Sequence, residues 1–188
     1  MRIIAGAKRG LKLAELGAGD ASAHLRPTSD RVRESLFNVL TSGRFGQPLA
    51  DARVLDLFAG TGALGFEALS RGAAHVTFVD DGAKAGGLIR QNAKAMQAVE
   101  TTTLIRRDAT RLGAYAGAGF DLVFLDPPYG KGLGARALAS AVAGGWLAPN
   151  ALVVWEENTP QIAPAGFDLL DQRRYGDTHI TILQRTAA

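Results

Sequence analysis

Four aspartates close four successive apolar segments: Asp56 in "RVLDLF", Asp80 after "HVTFV", Asp108 after "TTTLIRR" and Asp126 after "FDLVFL". Carboxylates accept hydrogen bonds from hydroxyls and amines and attract cations, so a row of them describes a ligand rich in those groups. Between the first two lies Gly60-Thr61-Gly62-Ala63-Leu64-Gly65, a G-x-G-x-x-G turn, and Asp80 stands twenty positions beyond Gly60. That spacing suits the ribose-binding acid of a nucleotide site. Any one strand-end aspartate suits a cap or a turn. Four in succession beside the glycines mark a site.

A strand followed by such a turn places backbone N–H groups and a helix N-terminus at the carboxyl end of a sheet. A dinucleotide and S-adenosylmethionine both use that platform, so the glycines leave the cofactor open. Asp56, four residues before Gly60, discriminates. Its negative charge repels a pyrophosphate and attracts the ammonium of a methionine moiety.

The second chemical feature is Asp126-Pro127-Pro128-Tyr129. Paired prolines end the strand, remove two N–H donors and hold the chain extended. The exocyclic amine of a nucleobase is a poor nucleophile because its lone pair is delocalised into the ring. Acceptors aimed at its hydrogens, here the Asp126 carboxylate and the Pro127 carbonyl, favour the pyramidal form that develops charge during attack. Tyr129 offers a flat face on which an extruded base stacks.

The remaining sequence must position these groups. Segments 53–58, 75–80, 101–108, 120–126 and 151–158 read as strands, and 62–70, 83–97 and 132–146 as intervening helices. The last two strands lie in "FDLLDQRRYGDTHITILQR", joined at Gly176-Asp177. The pattern predicts a mainly parallel α/β sheet of seven strands, closed by an antiparallel C-terminal hairpin. Ahead of it, "RIIAGAKRGLKLAEL" reads as a β-hairpin with Lys8 and Arg9 at its tip, and "GAGDASAHLRPT" as a loop. A helix begins near Ser29 or Asp30. Its packed face comprises Val32, Leu36, Val39 and Leu40, with Arg31, Arg33 and Glu34 off that face.

The chain has 188 residues and a net charge of +3, enough for one α/β domain with a small extension. Residues 1–44 hold eight Lys/Arg against four Asp/Glu, so the positive excess sits in an extension, 1–44, ahead of a domain at 45–188. This suits a polyanionic partner. Cysteine is absent and the three histidines are scattered, giving no basis for a metal site or a thiol nucleophile. Without a membrane-length apolar run or a signal-peptide core, a cytoplasmic protein is expected.

With "DLFAGTGALG" and "DPPY", the chain resembles the class I S-adenosylmethionine-dependent methyltransferases, whose fold is Rossmann-like. "RIIAGAKRGLKL", "LRPTSDRVRESLFNVL" and "YGDTHITILQR" make it similar to the bacterial family of small-subunit ribosomal RNA methyltransferase D, which acts on guanine N2 of 16S rRNA. Ala5 and Asp80 stand where that family more often has glycine and glutamate. The resemblance implies that Asp56, Ala59, Gly60, Thr61 and Gly62 contact the methionine part of the cofactor. Asp80 then holds the ribose, and Asp108 with Ala109 the adenine. Asp126, Pro127, Pro128 and Tyr129 hold the target guanine. Arg26, Thr28, Arg31 and Arg33 form a substrate surface beside the site, and Lys8 and Arg9 contact RNA backbone. The implied partner is 16S rRNA in the 30S subunit; a monomer, with no metal and no membrane, is the default expectation.

The same Pro-Pro loop serves enzymes acting on DNA adenine or protein glutamine. The chain lacks room for a sizeable target-recognition domain, which argues against DNA. Arginine-rich "RPTSDRVRE" suits phosphate better than a protein surface. An NAD-dependent oxidoreductase leaves the Pro-Pro loop unexplained, and a non-catalytic RNA-binding module leaves the carboxylates unexplained.

Overall fold

A computed structural model describes residues 1–15 and 29–186. Its centre is a seven-stranded sheet of β1 (Arg53–Leu57), β2 (His75–Val79), β3 (Thr102–Ile105), β4 (Phe120–Leu125), β5 (Leu147–Glu157), β6 (Phe167–Tyr175) and β7 (Thr178–Arg185). The order across the sheet is β3-β2-β1-β4-β5-β7-β6. β1 to β5 run parallel, and β7 pairs antiparallel with both β5 and β6. The order reverses between β1 and β4, and the crevice at such a reversal is where open α/β sheets bind ligands. In register, Leu57, Val79, Ile105, Leu125 and Trp155 form one transverse row near the carboxyl edge. All residues that end or follow those strands therefore emerge at one rim.

Among the described residues, α1 (Asp30–Leu40), α2 (Ala63–Ser70), α3 (Ala83–Ala95) and α4 (Leu133–Ala143) and a short 3-10 turn at Ala109–Arg111 accompany the strands. Helices α1, α2 and α3 pack on one face, where Phe37, Phe66 and Ile89 meet Val54, Phe78 and Phe124. On the other face, α4 and Trp146 cover Leu55, Val123 and Val153. Alternate residues of each strand thus go to opposite cores, as a sheet covered on both sides requires.

Several boundaries differ from the sequence reading. β5 starts at Leu147 rather than Ala151, because Leu147 already pairs with Phe120 ahead of a bulge. The N-terminal hairpin is reduced to one antiparallel bridge, Arg2 with Lys12, flanked by backbone hydrogen bonds such as Ile3 to Leu11. This strap is fastened mainly by side chains of the helices. The buried Glu67 carboxylate accepts the N–H groups of Ile4 at 2.8 Å and Ala5 at 3.0 Å. Ser70 Oγ accepts from Lys8 N–H and donates to the Ala5 carbonyl.

Helix α1 begins as expected, with Ser29 as N-cap accepting from Val32 N–H. Its buried face is displaced by one residue: Arg33, Leu36, Phe37 and Leu40 are inside, while Val32 and Val39 are only half-buried. The placement of Arg33 off the packed face is thereby corrected. Its side chain donates to the Arg2 carbonyl at 2.5 Å and to Asp30 at 2.9 Å. Spacing 33-36-37-40 is as good a helical stripe as 32-36-39-40, and these internal acceptors decide the phase.

Candidate active site

Strand β1 carries Asp56 beneath the glycine turn instead of into an open cleft. The residue is 1% exposed, and its Oδ2 accepts the N–H of Gly65, in α2, at 3.0 Å. Burial pushes its carboxyl up to about 8, opposed by the Gly65 hydrogen bond and helped by nearby Asp80. Asp56 therefore holds its proton to higher pH than an ordinary aspartate does. Its attraction for an ammonium group requires that the approaching cation ionise it.

The turn itself is tightly built. Phe58 holds φ at +60°, a conformation costing a non-glycine residue about 1 kcal/mol, where the chain leaves β1. Gly62 caps α2 with φ +79°, and a Cβ there would lie 2.6 Å from the Phe66 ring. A Cβ on Gly65 would lie 2.4 Å from the Phe78 ring, so the last glycine permits close packing of α2 on β2.

Asp80, half-buried past β2, accepts the Gly60 N–H through Oδ2 at 2.9 Å and the Gly82 N–H through Oδ1 at 2.8 Å. Asp108 lies three residues past the short β3 and caps the 3-10 turn. It accepts the Thr110 hydroxyl at 2.7 Å and the Thr110 N–H at 2.8 Å, and these bonds hold its carboxyl below the usual aspartate value. Ala109 beside it is buried.

These contacts test the ligand chemistry. The Gly60 and Gly65 N–H groups are taken by carboxylates, and that of Gly62 by the Ala59 carbonyl at 2.7 Å. A pyrophosphate needs those donors and would meet acids instead. Acids in these places suit a cationic ligand bearing hydroxyls or amines better than a polyanion.

The Pro-Pro loop leaves β4 beside the glycine turn, since β1 and β4 are neighbours. Asp126 is half-buried, Pro127 is buried, and Pro128 and Tyr129 are half-buried. The phenol of Tyr129 donates to Glu156 Oε1 at 2.5 Å, with Thr178 Oγ1 3.4 Å away. Desolvation and the Glu156 acceptor both raise the phenol's pKa, so it stays protonated. Behind the loop, the Glu157 carboxylate accepts the Gly130 N–H at 3.2 Å and the Asn158 N–H at 2.9 Å.

The structure therefore brings Asp56, Ala59, Gly60, Thr61, Gly62, Asp80, Asp108, Ala109 and Asp126 to Tyr129 to one rim. Arg31 is exposed in the first turn of α1. Arg33, fully buried, cannot present its guanidinium to a substrate in this arrangement. Arg26 and Thr28 lie outside the described residues. Lys8 and Arg9 sit at the far end of α2: Lys8 N–H bonds Ser70 and its Nζ bonds Gln97. Eight residues of α2, about 12 Å, separate that tip from the glycine turn. Among the described residues no group of three or more His, Asp or Glu is arranged to hold a metal, and no helix is long and apolar enough to cross a membrane.

Four side chains escaped the sequence reading: Glu67, Asn92, Glu156 and Glu157, all at most 5% exposed. Two acids ending the apolar run "ALVVW" were a visible signal for the last pair. Glu67 in the otherwise apolar "ALGFEALS" was a weaker one. Asn92, in a helix rich in polar residues, gave none.

The family model described as "Conserved hypothetical protein 95" matches residues 1–184. Ribosomal RNA small subunit methyltransferase D of Haemophilus influenzae is 37% identical, over 94% of this chain and 89% of that protein. Its Escherichia coli K12 namesake is 36% identical, over 100% of this chain and 91% of that protein. The chain belongs to the ribosomal RNA small subunit methyltransferase D family. The solved Escherichia coli protein yhhF superposes with a TM-score of 0.85 at 34% identity, covering 100% of this chain and 99% of that one. The fold is accordingly the Rossmann-like methyltransferase fold, and its glycine turn and Pro-Pro loop occupy neighbouring strand ends.

Proposed function

We propose that the protein is an S-adenosylmethionine-dependent methyltransferase acting on the exocyclic N2 amine of a guanine in 16S rRNA of the small ribosomal subunit. The observation that carries this reading is the pair of loops on β1 and β4. One has its donors consumed by acids and suits a cationic cofactor; the other presents Asp126, two prolines and a tethered aromatic ring to a planar substrate. The names of the relatives supply the RNA substrate.

The cofactor supplies an electrophilic methyl group on a sulfonium. Asp56 and the Ala59 to Gly62 turn would hold its methionine end, Asp80 its ribose hydroxyls, and Asp108 with Ala109 its adenine. The Asp126 carboxylate and the Pro127 carbonyl accept the two N–H bonds of the guanine amine and draw its nitrogen toward the pyramidal, nucleophilic form. The ring of Tyr129 stacks on the extruded base while Glu156 fixes its hydroxyl end. The methylated nitrogen loses its proton to Asp126 or to water, and much of the acceleration comes from positioning.

Arg31, with Arg26 and Thr28, would face RNA phosphates near the site. Lys8 and Arg9 would reach a more distant stretch of backbone beyond α2. The working enzyme would be a cytoplasmic monomer.

Labelled methyl transfer to 30S subunits or 16S RNA from cells lacking this protein tests the reading. Incorporation at guanine N2 is expected, and Asp126→Ala should lower it by about a thousandfold or more. Transfer to DNA adenine or protein glutamine in place of RNA would overturn the substrate assignment, and full activity of the variant would overturn the mechanism.

A further inference from the structure

Helix α3 contains Asn92, which is fully buried. Its side-chain amide joins two parts of the chain that are far apart in sequence. Oδ1 accepts the Ala14 N–H at 2.6 Å, and Nδ2 donates to the Ala14 carbonyl at 3.1 Å and to the Thr61 carbonyl at 3.0 Å. Thr61 is the middle residue of the glycine turn, and Ala14 lies at the end of the N-terminal strap. One amide group thus satisfies both backbone groups of a strap residue and one carbonyl of the cofactor turn. An asparagine alone among the standard residues of this length offers an acceptor and two donors on one planar group.

Among the described residues the strap has other attachments. It pairs with itself through the Arg2–Lys12 bridge and flanking backbone bonds such as Leu13 N–H to the Met1 carbonyl, is held to α2 by Glu67 and Ser70, and places the Met1 sulfur 3.7 Å from Thr61 Oγ1. Ile3 and Leu13 go into the core shared with α1 and α2. The strap therefore runs along α2 from the turn to the helix's far end, and Asn92 ties its end to the turn.

We propose that Asn92 is a positioning residue that couples the glycine turn to the N-terminal strap, so that cofactor binding and strap docking reinforce each other. This rests on the reading of the turn as the S-adenosylmethionine site. When a ligand orders the turn at Thr61, the Asn92 amide is held in the orientation that also receives Ala14. By linkage, a docked strap must raise cofactor affinity by the same factor that bound cofactor raises docking. The amide bonds the backbone of Ala14 and Thr61, and its effect on the cofactor passes through Thr61.

The test uses the full chain and S-adenosylhomocysteine, titrated by calorimetry, with amide exchange followed at Ile3, Leu11 and Leu13. In the wild type the ligand should bind and slow exchange at these strap amides severalfold. Asn92→Ala should weaken binding about tenfold, the scale of one or two lost net hydrogen bonds, and abolish the ligand's effect on the strap. Ala14→Pro removes the N–H donor from the strap side without altering α3 or the turn. Coupling requires that it also weakens S-adenosylhomocysteine. It keeps the proposal testable should Asn92→Ala fold poorly.

Wild-type affinity in Ala14→Pro, or strap exchange indifferent to ligand in the wild type, would overturn the coupling and reduce Asn92 to local support. Failure of the wild type to bind S-adenosylhomocysteine at all would instead remove the cofactor reading, and the coupling with it. Retained binding in the wild type and in both variants would leave the cofactor reading intact and sink only the role of Asn92.

Discussion

The glycine turn and the Pro-Pro loop leave neighbouring strands at the same rim, yet they are held in shape by opposite means. In the glycine turn, the acids that would meet the ligand are also the braces: Asp80 holds Gly60 and Gly82, and Asp56 holds Gly65. In the Pro-Pro loop the bracing acids, Glu156 and Glu157, come from β5 and stand behind it, gripping Tyr129 and Gly130. Prolines 127 and 128 offer no N–H to grip, so support has to come from the residues that follow them. Shape and proposed ligand contact fall on the same residues in the first loop and are divided between strands in the second.

This contrast is breakable by experiment. Among the bracing residues the largest effect is expected for Asp80→Ala, which removes two loop bonds and the proposed ribose acceptor together. Affinity for S-adenosylhomocysteine should fall about a hundredfold while RNA affinity holds. An equal loss of RNA binding, read in a filter-binding titration, would mean that the two loops are not separable. Glu156→Ala should come next, lowering kcat/KM for RNA about tenfold with cofactor affinity unchanged. A weakened cofactor in that variant would show the brace serving both loops.

The pH dependence of stability sharpens the account of Asp56. Its folded pKa, about 8, lies above the ordinary 3.8, so the native state binds more protons than the unfolded chain between those values. Its contribution is fully present below about pH 4 and is lost as pH rises through about 8. Asp56→Asn keeps an acceptor for Gly65 but does not ionise, and should remove that slope from chemical-denaturation midpoints measured between pH 4 and 8. Parallel profiles for the two proteins would show Asp56 already ionised in the native state.

The smallest effect belongs to the surface. Arg31→Ala should weaken RNA about two- to threefold and lower the salt dependence by about one unit. Unchanged salt dependence would detach α1 from the RNA.

Much of the candidate site is legible in the sequence. The four strand-end aspartates, the glycine turn and the Pro-Pro loop are local patterns, as are the strands beneath them and the Gly176-Asp177 hairpin turn, where Gly176 has φ +62°. Apolar runs and turn residues act within a few positions of themselves, so one sequence suffices to read them. Even the sites that shifted did so by short distances, as when Asp108 became the cap of a turn three residues beyond its strand.

What the sequence by itself determined, then, is which groups reach the rim: acids, glycines, prolines and Tyr129, in an order set by alternating strands and helices. Only the tertiary structure decided which of them are free to act and which are held. Arg33 turns inward because the Arg2 carbonyl lies beside it, 31 positions away in the chain. Lys8 docks 62 residues away at Ser70, at the far end of α2, and Asn92 meets Ala14 across 78 residues. A buried polar group must find a partner wherever the fold places one, and that partner is a property of the packed chain rather than of any stretch of it.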